Sequence, residues 1–317
     1  MSLHILQATI LIAVHGIGHC IYPAGYLTVG HCARIGIMFG LHDLKNATQL
    51  FKDPDTWTLR EEERRTWWAV LLLDRSVEIQ KRRAYVNNLR FIQAGTNCLP
   101  LVAKEPLESD LLPCDDSSWN QGIIGSNEPL FDSSPGFSST GSDFASVCRA
   151  VHLFGRVTRH RDDHNFEIFH RLSEVFQLHR ALLALESTFQ VPNVSDDEQY
   201  LSRAICYDAR LILYNIYACN ERYGEYRHGQ ETDMQEVSIE GIMEVAFSVS
   251  EMAHYLINEF PTRMESIIPL IINCLFHALT ECAWVFREDR NVEMKAAMDT
   301  ICMTIKLLND RWRVCGE

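Results

Sequence analysis

Apolar residues recur every three or four positions along most of the 317-residue chain, and strand-like alternation is scarce. The spacing predicts a first helix from about Leu3 to Ile17, apolar almost all round. A second follows Pro23, from about Ala24 to Phe39, with Gly40 placed as its C-terminal stop. The third helix has the clearest start: Thr58 and Glu61 stand at capping-box spacing, and the pattern continues to about Gln80. Glu61 precedes Arg64 and Arg65 by three and four positions, which supports a helix and predicts an exposed ion pair. Trp68, Leu72 and Arg75 share one face, with Trp67, Leu71 and Asp74 beside it. Two tryptophans next to the run Leu71 to Leu73 bury much apolar area, so this helix is expected to be central.

From Lys81 to about Ser142 the pattern breaks. The last part, Gly125 to Ser142, is rich in Ser, Gly and Pro and reads as a mobile loop. Helical periodicity then returns. Asp143 is expected to cap a helix to about Arg161, and Phe166 to Phe189 makes another. Ser195 with Glu198 and Thr232 with Gln235 are two further capping boxes, opening helices to about Tyr223 and Glu259. After Pro261 come helices over about Ser266 to Phe286, with Pro269 in its first turn, and Asn291 to Val314. The expected fold is all-α, an irregular multi-helix array with one long Ser/Gly/Pro-rich loop. Residues 1–80 supply the N-terminal helices, 81–142 the loop region, and 143–317 the C-terminal helices of the same domain.

Charge and cysteine usage narrow the partners. Lys and Arg number 29 against 42 Asp and Glu, a net charge of -13, and such a surface repels phosphate backbones. Direct DNA binding by this chain alone is not expected. The 11 cysteines include no C-x-x-C pair, and several fall in apolar helical positions, as buried free thiols do. The apolar stretch from Ile5 to Val14 is too short to cross a bilayer as a helix and lacks a basic flank, so no membrane association is expected.

Candidate chemistry is thin. His15 and His19 lie four apart on one helix, with His31 beyond, but no carboxylate completes a zinc motif there. The run His160, Arg161, Asp162, Asp163, His164 reads as a solvated helix end rather than an acid–base group. Gly16 and Gly18 begin a G-x-G with Ile21 where a third glycine belongs and no strand before it. Lys81, Arg82 and Arg83 form a tight basic run that reads as a solvated helix end. No catalytic residue, metal site or cofactor is assigned.

Three segments carry a resemblance. The run Glu61-Glu62-Glu63-Arg64-Arg65-Thr66-Trp67-Trp68, continued by Leu71-Leu72-Leu73-Asp74-Arg75, resembles the signature of the fungal-specific transcription factor domain, the middle homology region of zinc binuclear cluster regulators. Ala33-Arg34 with Gly40-Leu41-His42 is similar to that family's upstream helix end, and Leu112-Pro113-Cys114-Asp115-Asp116 with Trp119 to its downstream segment. The C-terminal helices, to Trp312, are similar in pattern, so the resemblance is taken to extend over the chain. The resemblance implies an all-α regulatory domain that responds to small molecules; the pattern of the third helix itself adds Arg65, Trp68, Asp74 and Arg75 as scaffold, holding that helix in the array. The family's zinc cluster would precede Leu3 and is absent here, and Lys81 to Ala84 stand where many members carry a G-R-P turn.

The expected role is therefore transcription regulation in the nucleus, over a metabolic or biosynthetic gene set. The expected partners are other regulatory proteins or a second copy, together with a small-molecule effector. Two other classes compete: a ligand-binding module, and a helical domain co-opted as a biosynthetic enzyme. A His–Asp pair lining a deep cavity would favour the last.

Overall fold

The computed structural model describes residues 2–43, 47, 54–86, 102–131, 142–163, 167–189, 199–218, 229–259 and 267–315. Among them are ten α-helices and no strand. In order they are α1 Leu3–Gly18, α2 Ala24–Met38, α3 Trp57–Val86, α4 Asp116–Asn120 and α5 Asp143–Asp162. Then follow α6 Ile168–Glu186, α7 Tyr200–Ala218, α8 Gly229–Glu259, α9 Ile271–Asp289 and α10 Val292–Leu308. The fold is all-α, as the periodicity predicts. The chain divides into two compact units, Met1–His152 and Leu153–Glu317.

In the first unit, α1, α2 and α3 pack on one another. The crossing of α1 and α2 depends on the absence of side chains: a Cβ on Gly16 would stand 2.9 Å from the Gly25 Cα. The G-x-G at 16–18 thus contains a packing glycine. Helix α2 ends on Gly40 at φ 81°, with Gly40 N–H donating to the Ile37 carbonyl and Leu41 N–H to that of Gly36, each at 3.0 Å. A left-handed residue there closes the last turn, and glycine adopts it without steric cost.

The capping box expected at Thr58 does not form. Thr56 caps α3 instead, its Oγ1 accepting from Leu59 N–H at 3.2 Å, so Thr58 falls inside the first turn. Glu61, released from that role, turns into the core, where it is fully buried. Helix α3 also runs past Gln80 to Val86, so Lys81 to Arg83 lie within it. Lys, Arg and Ala all favour a helix, and no Gly or Pro interrupts before that point.

Residues 102–131, read from sequence as broken pattern, are packed rather than loose. Ala103, Leu112, Cys114 and Leu130 are buried. Leu112 N–H donates to the Glu128 carbonyl at 2.7 Å and Leu130 N–H to that of Asp110 at 2.8 Å, pinning the two ends of the segment together. The remainder of the Ser/Gly/Pro-rich stretch, 132–141, lies outside the described residues. Ser142, not Asp143, caps α5, its Oγ accepting from Ala145 N–H at 3.3 Å.

In the second unit α7 is the axis. It packs against α6, α8 and α9, and α10 packs on α8 and α9. Gly241 of α8 lets that helix close on α7, since a Cβ there would sit 2.4 Å from the Tyr214 ring. The box at Ser195 and Glu198 falls outside the described residues. Helix α8 begins at Gly229, which leaves Thr232 inside its first turn. Helix α9 begins at Ile271 behind Leu270, so Pro269 precedes the helix instead of sitting in its first turn. Asn291 caps α10, its side chain accepting from Met294 N–H at 3.0 Å. That helix stops at Leu308, ahead of Val314, and a 3-10 turn at Arg313–Cys315 follows.

Candidate functional site

The signature residues of α3 build one connected clasp in the first unit. Glu61 accepts from Cys114 N–H at 2.8 Å, Asn127 Nδ2 at 2.9 Å and Arg65 Nε at 3.2 Å, and it also pairs with Arg64. Arg65 continues the network, donating from Nη1 to Asp116 at 2.6 Å and from Nη2 to the Cys114 carbonyl at 2.8 Å. Its guanidinium lies 5.1 Å from the Trp119 ring centroid and 5.7 Å from that of Phe144. Burial pulls the Arg65 pKa down, but the hydrogen bond and charge of Asp116 outweigh it, and the net shift is upward. The Cys114 thiol is pushed up by burial and by the charge of Glu61.

Further along the helix Trp68 Nε1 donates to the Leu111 carbonyl at 3.2 Å. Asp74 accepts from Val102 N–H at 3.3 Å and Ala103 N–H at 3.1 Å, and Arg75 donates to Asp74 at 2.8 Å and to Glu105 at 3.2 Å. Trp68 and Asp74 thereby satisfy backbone groups of the 102–131 segment, as Arg75 does by donating to the Ala103 carbonyl at 3.2 Å. The clasp adds to what the segment has of its own, the short helix α4 and the bridge between Leu111 and Pro129. Two of the three segments that carry the resemblance meet here, and the third sits at the end of α2, where Gly36 makes room for Trp67.

Among the described residues the second unit holds buried polar networks and a cavity. Arg210, fully buried, donates to Glu244 at 2.8 Å and to Tyr214 Oη at 3.2 Å, and pairs with Glu186. His179 Nδ1 lies 2.9 Å from Tyr214 Oη, and burial lowers the His179 pKa. A neutral imidazole there accepts a hydrogen bond donated by the Tyr214 O–H. Burial raises the Glu186 carboxyl despite the charge of Arg210. The cavity, of about 620 Å³, opens between α7 and α9. Asn215 and Ala218 line it from α7, and Thr280, Glu281, Trp284 and Arg287 from α9. Glu281 accepts from Asn215 Nδ2 at 2.6 Å, and burial raises its pKa.

The remaining candidates from sequence fall elsewhere. His15 and His19 pack with ring centroids 4.4 Å apart and planes tilted by 50°, and among the described residues no three His, Cys, Asp or Glu side chains converge to hold a metal. His160 is not a solvated helix end. It is buried, with Nδ1 2.7 Å from Glu174 and Nε2 2.7 Å from Tyr217 Oη, because α6 and α7 cover the last turn of α5. A His–Asp pair does exist, His277 with Asp208, but neither residue lines the cavity. Sequence reasoning missed Glu281, Asn215, Trp284 and Arg287. The available signal was a carboxylate in the apolar stripe Cys274, Ala278, Glu281, Val285, whose spacings of four, three and four place all of them on one buried face. Among the described residues no helix is long and apolar enough to cross a membrane.

The fold is all-α, and the charged and aromatic residues of its α3 signature hold the chain's own 102–131 segment. The chain belongs to the family described as the fungal specific transcription factor domain, whose sequence profile matches residues 1–189, more than half of its length. The match ends near the close of α6, short of the whole-chain extent expected from sequence. The chain is also similar to transcription factor BOA15 of Botryotinia fuckeliana (strain B05.10), with 48% identity over 65 residues. That stretch is 20% of this chain and 36% of the relative. It is 37% identical over 73 residues to the arabinolytic transcriptional activator araR of Emericella nidulans, covering 23% of this chain and 7% of the relative. The matched stretches thus span well under half of either relative. No solved structure matches.

Proposed function

We propose that this chain is the regulatory part of a fungal transcription regulator of the zinc-cluster type, acting in the nucleus on a metabolic or biosynthetic gene set. It works through other regulatory proteins or a second copy, answers to a small-molecule effector, and is not an enzyme. Residues 1–80, 81–142 and 143–317 serve as its N-terminal helices, connecting region and C-terminal helices. The family match over residues 1–189 carries the reading, and the relatives, named as a transcription factor and a transcriptional activator, support it. The net charge of -13 argues that contact with DNA is made by something other than this chain.

The test is a reporter assay with this chain fused to an unrelated DNA-binding domain and a nuclear import signal. Reporter output should change at least fivefold, in either direction, relative to the DNA-binding domain alone. An unchanged reporter with the fusion present in the nucleus would overturn the proposal.

A further inference from the structure

Glu281 is a buried carboxyl with an incomplete set of partners. It is only 7% exposed, and among the described residues Asn215, a neutral amide, is its one hydrogen-bond partner. His277, one turn earlier on α9, is engaged by Asp208. A buried carboxylate is costly unless a cation or several donors compensate it. Here the group, compensated only in part by the Asn215 amide and the charge of His277, faces the 620 Å³ cavity, a volume in the range of small-molecule sites. The same wall holds the Trp284 ring, and at the rim the exposed Arg287, whose partner is the neighbouring exposed Glu288 at 3.2 Å. An exposed pair of this kind gives up its cation readily.

We propose that the cavity binds a small zwitterion of the amino-acid type. Its ammonium completes the charge of Glu281, its carboxylate takes the fork of Arg287, and its apolar body lies against Trp284 and Ala218. Asn215 holds the Glu281 carboxyl in place while leaving its charge for the ligand. This deepens the effector reading above by naming the chemical class. Binding is measured on the purified chain, so it succeeds or fails independently of whether the chain regulates transcription.

The experiment uses calorimetry and thermal shift with three probes: L-phenylalanine, phenethylamine, which keeps only the ammonium, and 3-phenylpropionate, which keeps only the carboxylate. L-phenylalanine should bind tighter than either fragment and raise the melting temperature as ligand is added. Glu281→Gln should weaken phenethylamine at least tenfold and leave 3-phenylpropionate unchanged, and Arg287→Ala should do the reverse. Arg287 is exposed, so its removal leaves the fold intact, and circular dichroism checks both variants. No heat and no shift with any probe at millimolar concentration would overturn the proposal. So would binding that neither substitution alters.

Discussion

Glu61 of α3 and Glu281 of α9 are both helical carboxylates, and both are buried. Their surroundings differ. Glu61 meets two guanidinium groups, a backbone N–H and an amide, and every one of those partners belongs to α3 or to the segment it holds. Glu281 meets one amide and borders a cavity. A buried charge whose partners are complete fixes structure, while one left short of partners is open to a ligand. The charged residues of the family signature that the clasp uses, Glu61, Arg64, Arg65, Asp74 and Arg75, are of the first kind. The signature reports how the chain is held, and the residues that would read a ligand lie outside it.

The largest expected effects fall on the clasp. Trp68→Ala removes a buried ring together with its bond to Leu111, and should cost roughly 3–5 kcal/mol in thermal or denaturant unfolding. Glu61→Ala should cost a similar amount, about 3–5 kcal/mol, because it strands Arg64 and leaves Cys114 N–H without an acceptor. A loss of about 0.5 kcal/mol, the value suited to an exposed capping residue, would show that the clasp is not closed in solution.

Arg65→Lys tests the fork at smaller scale. It keeps the charge but cannot reach Asp116 and the Cys114 carbonyl together, and should cost about 1.5–3 kcal/mol, measured by the same unfolding. An unchanged midpoint would assign the network to charge alone.

The smallest effect belongs to α9 and shows as a pH dependence. Burial raises the Glu281 pKa above its ordinary value of 4.5, so the folded state binds that proton more tightly than the unfolded state. The parent should therefore gain stability as pH falls through the raised folded pKa toward 4.5, and level off below. Glu281→Gln should lack this gain, so the gap between the two proteins shifts in favour of the parent as pH falls. Parallel stability curves would remove the burial argument.

Much of this was legible in the sequence, and the misses have physical causes. Periodicity placed α1 and α2 within a residue or two, and Gly40 ended α2 as expected. The central place of α3 followed from Trp68 and its leucines. The capping assignment failed because Thr56 and Thr58 are both competent caps two residues apart, and the choice is made by where Glu61 points. The order in 102–131 was hidden because several of its backbone groups pair with side chains of α3, 28 to 53 positions away, and no local pattern announces them. His160 misled because a charged run at a helix end looks the same whether or not other helices cover it. The cavity could not be read at all, since it depends on how α7 and α9 meet.

The comparison is tested most directly by denaturant unfolding at pH 7 of Glu61→Gln and Glu281→Gln beside the parent. Both changes remove one charge and keep the shape. The account predicts a loss of about 2 kcal/mol or more for Glu61→Gln, whose cationic partners lose their anion, and a change within about 1 kcal/mol, or a gain, for Glu281→Gln. Equal losses at the two positions would contradict it.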